Sequence, residues 1–219
     1  MHDDAVGIVL AGGRSERLAA LGLGAGGKAG LVVGGRPCLE RVCAAVGAVV
    51  PRVLVVAAAG QPLPALPPGV EIVRDSTPDG GPLAGLRDGL AAARSGGARL
   101  AFVASCDVPL VRVAVVDRLL GIAESSAARI VVPVVDGVPQ VLAAVLACDL
   151  ADSIRGHVAA GHGPRAVVAD LAAREPTAVR FVGPEVLREV DPELESFLDI
   201  DTPEDLARLE TRGIPPSRG

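Results

Sequence analysis

Residues 22–30 read GLGAGGKAG, a run that places Gly22, Gly27 and Lys28 in the spacing G-x-x-x-x-G-K. In that spacing backbone N–H groups cradle the phosphates of a nucleoside triphosphate, and the lysine reaches the terminal ones. The pattern next requires Ser or Thr to hold Mg²⁺, and the chain has Ala29. It also requires a helix to open here, whereas LVVGGRP at 31–37 reads as a short apolar strand and a turn. A P-loop therefore ranks last for Lys28. A lysine closing a different phosphate site ranks ahead of a solvated charge on a glycine loop, because an ammonium is useful against phosphate oxygens.

Three further stretches carry residues of the same chemistry. LAGGRSERL at 10–18 follows an apolar run, and its paired glycines let backbone approach a ligand while Arg14 and Arg17 suit phosphate charge. RDSTPDGGPLAGL at 74–86 carries Asp75 where the preceding strand should end and runs through a Gly-Gly-Pro turn into a helical pattern, whose start attracts anions. VASCDVPLV at 103–111 delivers Asp107 from an apolar run, and a lone carboxylate there suits Mg²⁺ held jointly with substrate phosphates. Each has an ordinary alternative when taken alone: a glycine connector, a local turn cap, a helix N-cap. Together they are the parts of a nucleotide–Mg²⁺ site.

The elements that must position these residues follow from hydrophobic period. Continuous apolar runs at 5–10, 53–59, 70–73, 100–105, 130–135 and 141–146 have the profile of strands buried on both faces. Segments of helical period lie at 37–49, 83–93 and 113–123, the first with Pro37 at its opening position. The alternation predicts an α/β fold: a single domain with a doubly wound, mostly parallel sheet, in which the loops above lie at strand carboxyl ends, where ligands bind. After residue 130, VVPVVDGVPQVLAAVL reads as two strands joined through Asp-Gly, a small antiparallel hairpin. Helices at 149–156 and 164–173 and a strand at 177–182 follow. DTPEDLARLE near the end carries a cap, an early proline, early acids and an apolar stripe, a well-marked final helix. The domain is expected to span 1–213, with a frayed tail at 214–219.

Composition narrows the ligand. A net charge of -5 with no Lys/Arg run argues against nucleic acid and against an anionic membrane surface. With no Trp or Tyr, and with Phe102, Phe181 and Phe197 as the aromatic residues, base-stacking platforms are nearly excluded. No apolar run approaches the roughly 20 residues of a membrane span, and the acidic start MHDDAVG is unlike a secretory signal, so a cytoplasmic protein is expected. Cys38, Cys43, Cys106 and Cys148 lack C-x-x-C spacing and sit among apolar residues, as reduced, packed thiols do. His157 and His162 lack i, i+4 spacing, so a zinc site is not expected there.

The quoted motifs, taken in order, resemble the molybdenum cofactor guanylyltransferase family within the nucleotidyltransferases. The carriers are LAGGRSER at 10–17, Lys28, Asp75 with GPLAGL at 81–86, CDVP at 106–109 and DIDTPEDLA at 199–207, which together cover nearly the whole chain. The chain departs from the pattern in having Gly27 where the family has Asp before the lysine, a longer loop before Lys28, and Asp201 where guanylyltransferases frequently have Asn. The resemblance implies Mg²⁺-dependent transfer of GMP from GTP to the phosphate of molybdopterin, with pyrophosphate released. It implies that Leu10, Ala11, Gly12 and Gly13 hold base and sugar through backbone contacts, and that Asp75 fixes the nucleoside. It further implies that Lys28 and Arg17 neutralise phosphate oxygens, that Asp107 holds Mg²⁺, and that Asp201 is a second metal ligand. Molybdenum cofactor biosynthesis proteins or acceptor enzymes are the implied protein contacts. A relative using CTP or another phosphorylated acceptor would share almost every quoted residue, and a GTP-binding homologue without catalysis would share most.

Overall fold

A computed structural model describes residues 1–12, 27–77 and 80–211, without the side chains of 210 and 211. The expected tail at 214–219, together with Gly13, Arg14 and Arg17, lies outside the described residues.

The first strand, β1 (Ala5–Leu10), is buried along its whole length, as its unbroken apolar run requires. After a 3₁₀ turn at Gly27–Gly30 comes a two-stranded antiparallel ribbon, β2 (Val32–Val33) with β3 (Arg36–Pro37). Helix α1 (Cys38–Gly47) then begins one residue later than expected, because Pro37 is the extended N-cap residue and not the first helical one. β4 (Val53–Ala57), β5 (Val70–Arg74), α2 (Gly81–Ser95), β6 (Leu100–Ser105) and α3 (Val113–Glu124) follow. The second half comprises β7 (Ile130–Val135), β8 (Val138–Pro139), β9 (Ala143–Ala147), α4 (Leu150–Ala159), α5 (Pro164–Arg174), β10 (Val179–Val182), α6 (Pro184–Leu187) and α7 (Pro203–Thr211).

The strands form one sheet in the order β10-β7-β9-β6-β1-β4-β5, with β8 hydrogen-bonded to β7. β1 pairs in parallel with β4 on one side and β6 on the other, in the registers Leu10↔Val56 and Leu10↔Ser105. Alternate residues of each strand feed two cores, since successive Cβ atoms point to opposite faces. Val9, Val55 and Phe102 pack with α1 and α3, while Ile8, Leu54 and Val103 pack with α2, α4 and α5. The chain therefore winds in both directions from β1, and the carboxyl ends of β1 and β6 form the switch point.

The antiparallel hairpin is present but larger in consequence than its sequence suggests. Asp136 and Gly137 both have positive φ, 50° and 76°, the conformation that a two-residue turn between twisted strands demands. The strand it closes onto β7 is the short β8. The longer apolar run becomes β9, which is wedged between β6 and β7 and antiparallel to both. Its burial along nearly its whole length explains why it reads as a core strand and not as an edge.

Candidate active site

At the switch point Leu10 hands its carbonyl to the N–H of Cys106 at 3.0 Å, which locks the loop after β1 to the loop after β6. Asp107 is the next residue, and its carbonyl in turn accepts the N–H of Ile200 at 3.0 Å. Three distant segments, at 10–12, 106–107 and 199–201, are thus tied together by backbone alone.

Lys28 completes the cluster. Its Nζ donates to Asp107 Oδ2 at 2.8 Å and also to Asp201 Oδ1. The 3₁₀ turn that presents it starts at Gly27, whose φ of 60° favours glycine and accounts locally for glycine where the related pattern has aspartate. A small separate core fixes both ends of this contact. Leu31 and Val33, just after Lys28, pack with Cys38, Ile200 and Leu209, and Ile200 itself is fully buried. In an extended segment residues i and i+2 share a side, so burying Ile200 turns Asp199 and Asp201 together away from that core.

The electrostatics follow from this crowding. Burial lowers the pKa of the Lys28 ammonium, but the hydrogen bonds and charges of Asp107 and Asp201 outweigh it, and the net shift is upward. Asp199 is raised above the usual carboxylate range by lost solvation and then by the like charges of Asp201 and Asp107. Three carboxylates face one ammonium, leaving an excess of negative charge. The point where Asp107 and Asp201 converge already holds a cationic nitrogen, so the donor set fits a hard divalent ion completed by phosphate oxygens and water. Among the described residues no group of three or more His, Cys, Asp or Glu is arranged to hold a metal by itself.

The other expected residues lie around this centre with differing freedom. The Ala11 N–H donates to Val56 at 2.8 Å, and its carbonyl accepts from Gln61 Nε2 at 2.8 Å. Leu10 and Ala11 are therefore engaged within the fold, and Gly12, exposed and with open space over its Cα, is the described residue of this turn most open to a ligand. Asp75 Oδ1 accepts the Thr77 N–H at 2.8 Å, a local turn role. Asp75 Oδ2 faces Gly85 of α2, where a Cβ would lie 3.9 Å from that oxygen and 3.8 Å from Leu10 Cδ2. Asp75 thus stands at the end of β5, across Gly85 from the Leu10 side chain, with β4 between its strand and β1. The start of α2, at Gly80 and Gly81, has no side-chain cap among the described residues and no acid in its first turn.

On the other flank of Asp107 a cleft of about 400 Å³ opens, lined among others by Gln140, Arg165, Phe197 and Asp199. These four were not singled out as site residues from sequence. Gln140 follows the short strand β8, and Arg165 stands in the first turn of α5. Arg165 has no ion pair or side-chain hydrogen bond among the described residues. His157 and His162 flank the approach to α5, their Nδ1 atoms 3.1 Å apart, with His157 Nε2 3.2 Å from Asp170. All four cysteines are buried and free, and burial pushes the Cys38 thiol up to about 12, which makes it inert near neutral pH.

Residues 7–176 match the MobA-like NTP transferase domain family. The chain belongs to this family. It is a nucleotidyltransferase by that membership. It is 40% identical over 166 residues to the probable molybdenum cofactor guanylyltransferase of Mycobacterium ulcerans, covering 75% of this chain and 78% of the relative. Among solved structures, molybdopterin-guanine dinucleotide biosynthesis protein A from Archaeoglobus fulgidus superposes with a TM-score of 0.72 at 24% identity, over 94% of this chain and 97% of that one. A manganese complex of a protein from Mycobacterium tuberculosis H37Rv shares the fold with a TM-score of 0.58 at 20% identity, over 96% of this chain and 100% of that one. Among the described residues no helix is long and apolar enough to cross a membrane.

Proposed function

We propose that the chain transfers GMP from GTP to the terminal phosphate of molybdopterin and releases pyrophosphate, in the cytoplasm and with Mg²⁺ as cofactor. The observation that carries this reading is the meeting of Lys28 with Asp107 and Asp201 at the switch point of the sheet. The name of the 40% identical mycobacterial relative supports the choice of substrates.

An acceptor phosphate oxygen attacks the α-phosphorus of GTP, and the bond from that phosphorus to the bridging oxygen of the β-phosphate breaks. The electron pair leaves with pyrophosphate. A phosphate oxygen is already nucleophilic, so no side chain has to remove a proton, and catalysis rests on positioning and charge neutralisation. Lys28 gives up carboxylate partners for phosphate oxygens, and Arg17 acts with it. Asp107 and Asp201 would hold Mg²⁺, which when bound neutralises phosphate oxygens as a Lewis acid. Gly12, with Leu10, Ala11, Gly13 and Asp75, positions the nucleoside. The cleft past Asp107 takes the acceptor, with Arg165 and Gln140 offering donors to its polar groups.

The test is pyrophosphate release by the purified chain with GTP or CTP, Mg²⁺, and molybdopterin present or absent. Release with GTP only when molybdopterin is present is the expected result. Release with CTP would reassign the base, and a GTP-induced rise in melting temperature without any product would make the protein a non-catalytic binder.

A further inference from the structure

Asp191 is the charged residue of the described chain most completely removed from solvent, at 0% exposure, and it lies outside the Lys28 cluster. It belongs to the connection between α6 and Asp199. Its Oδ2 accepts the N–H of Ser196 at 2.8 Å, and its Oδ1 sits 3.1 Å from Arg112 Nε. That second contact is an ion pair without good hydrogen-bond alignment, so Oδ1 accepts no hydrogen bond. Ser196, equally buried, accepts the Arg112 N–H through Oγ at 3.0 Å, and Arg112 Nη2 donates to Glu195 at 2.8 Å. Between them Leu194 is held at φ 55°, a left-handed conformation unfavourable for a branched, buried residue. Strain of this kind persists where surrounding contacts over-determine it, and it gathers near functional sites.

Arg112 ends the connection that begins at Asp107, and it occupies the extended N-cap position of α3, where its carbonyl accepts the Val115 and Val116 N–H groups. Ser196 stands just before the segment that carries Asp199 and Asp201. The two connections are therefore stitched twice, once from Arg112 to Asp191 and Ser196, and once from the Ile200 N–H to the Asp107 carbonyl. Asp199 lies between these two stitches. We infer that Asp191, acting through Arg112 and Ser196, is a positioning residue that sets the separation of the Asp107 and Asp201 carboxylates and so the affinity of the site for its divalent ion. This rests on the proposed metal-holding role of those two aspartates. Groups that orient metal ligands from behind typically change metal affinity about 10–100-fold when altered.

The experiment measures Mn²⁺ binding by electron paramagnetic resonance in the presence of GTP, for wild type, Asp191→Asn and Ser196→Ala, with the melting temperature of each. Asp191→Asn keeps the shape and an acceptor for the Ser196 N–H but removes the charge facing Arg112. It is expected to weaken Mn²⁺ about tenfold and to raise the Mg²⁺ needed for half-maximal turnover in proportion, with kcat recovered at high Mg²⁺. Ser196→Ala, which leaves every charge in place, is expected to shift both readouts in the same direction and serves if Asp191→Asn does not fold. A lowered melting temperature with unchanged Mn²⁺ affinity in the folded variants would overturn the inference and leave the network a purely structural one. Wild type that binds no Mn²⁺ would instead overturn the metal-site reading on which the inference rests.

Discussion

Lys28 is an ammonium held by two carboxylates, and its pKa is raised. A group whose folded pKa exceeds its unfolded value contributes stability that is complete below the unfolded pKa and fades as pH rises through the folded one. Lys28→Met leaves Asp107, Asp199 and Asp201 without their counter-charge. The variant should therefore melt below wild type throughout pH 7 to 9.5, and the gap should begin to close only above the ordinary lysine value of 10.5, as pH rises through the raised folded value. Thermal melts of both proteins from pH 7 to above 10.5 check this, and a gap that widens above pH 10.5 contradicts it. Lys28 stood out in the sequence as a lone ammonium on a glycine loop at the place where the family resemblance puts a phosphate-binding lysine, while the missing hydroxyl and helix excluded only a P-loop. Asp107 was legible as an acid at a strand end and Asp201 through the family resemblance, which already placed both with Lys28 around one nucleotide. Their direct contact with the ammonium was not legible, since it joins residues distant along the chain. Gly13 and Arg17 lie outside the described residues, and their roles remain part of the proposal.

At the scale of elements, the site depends on a small core that is separate from the two main ones. Ile200, Leu31, Val33, Cys38 and Leu209 pin the β2–β3 ribbon to α7, and so hold Lys28 against Asp201. Ile200→Ala deletes buried methylenes and is expected to cost about 2–5 kcal/mol. Urea denaturation measures that loss. Activity should fall beyond what the unfolded fraction explains, because Asp201 loses its anchor while Asp107 keeps its own. Equal losses in folded protein and in turnover would contradict a positioning role for this core. DIDTPEDLA was marked in the sequence by the family resemblance, while its residues alone read as a capped helix start. The burial of Ile200 against Leu31, Val33, Cys38 and Leu209 is the physical reason that Asp199 and Asp201 face one way, and that packing joins segments far apart in the sequence.

At the scale of the whole molecule, β9 divides the sheet into a larger parallel part around β1 and a smaller part of β7 and β10. Asp107 stands between the β1 loop on one flank and the cleft of Gln140, Arg165 and Phe197 on the other. The mostly parallel sheet was legible from alternating apolar runs and helical periods, although β5, read from VEIV as buried on both faces, is the edge strand of the sheet with Glu71, Ile72 and Arg74 exposed. The cleft was not, because β9 reads as half of a local hairpin until its second partner, β6, is seen. If the acceptor lies in that cleft, Arg165→Ala should raise the KM for molybdopterin while leaving kcat and the KM for GTP nearly unchanged. Loss of a hydrogen bond to a charged group is worth about 1.5–3 kcal/mol, or roughly 10–150-fold in KM. Steady-state kinetics with each substrate varied separately decide this, and a rise confined to the KM for GTP would move the acceptor elsewhere. The most direct measurement of the central claim is pyrophosphate release by Asp107→Ala beside wild type, with GTP, Mg²⁺ and molybdopterin saturating. A fall of at least about 10²–10³ in kcat, with melting behaviour close to wild type, is the predicted result. A folded Asp107→Ala protein turning over at the wild-type rate would contradict it.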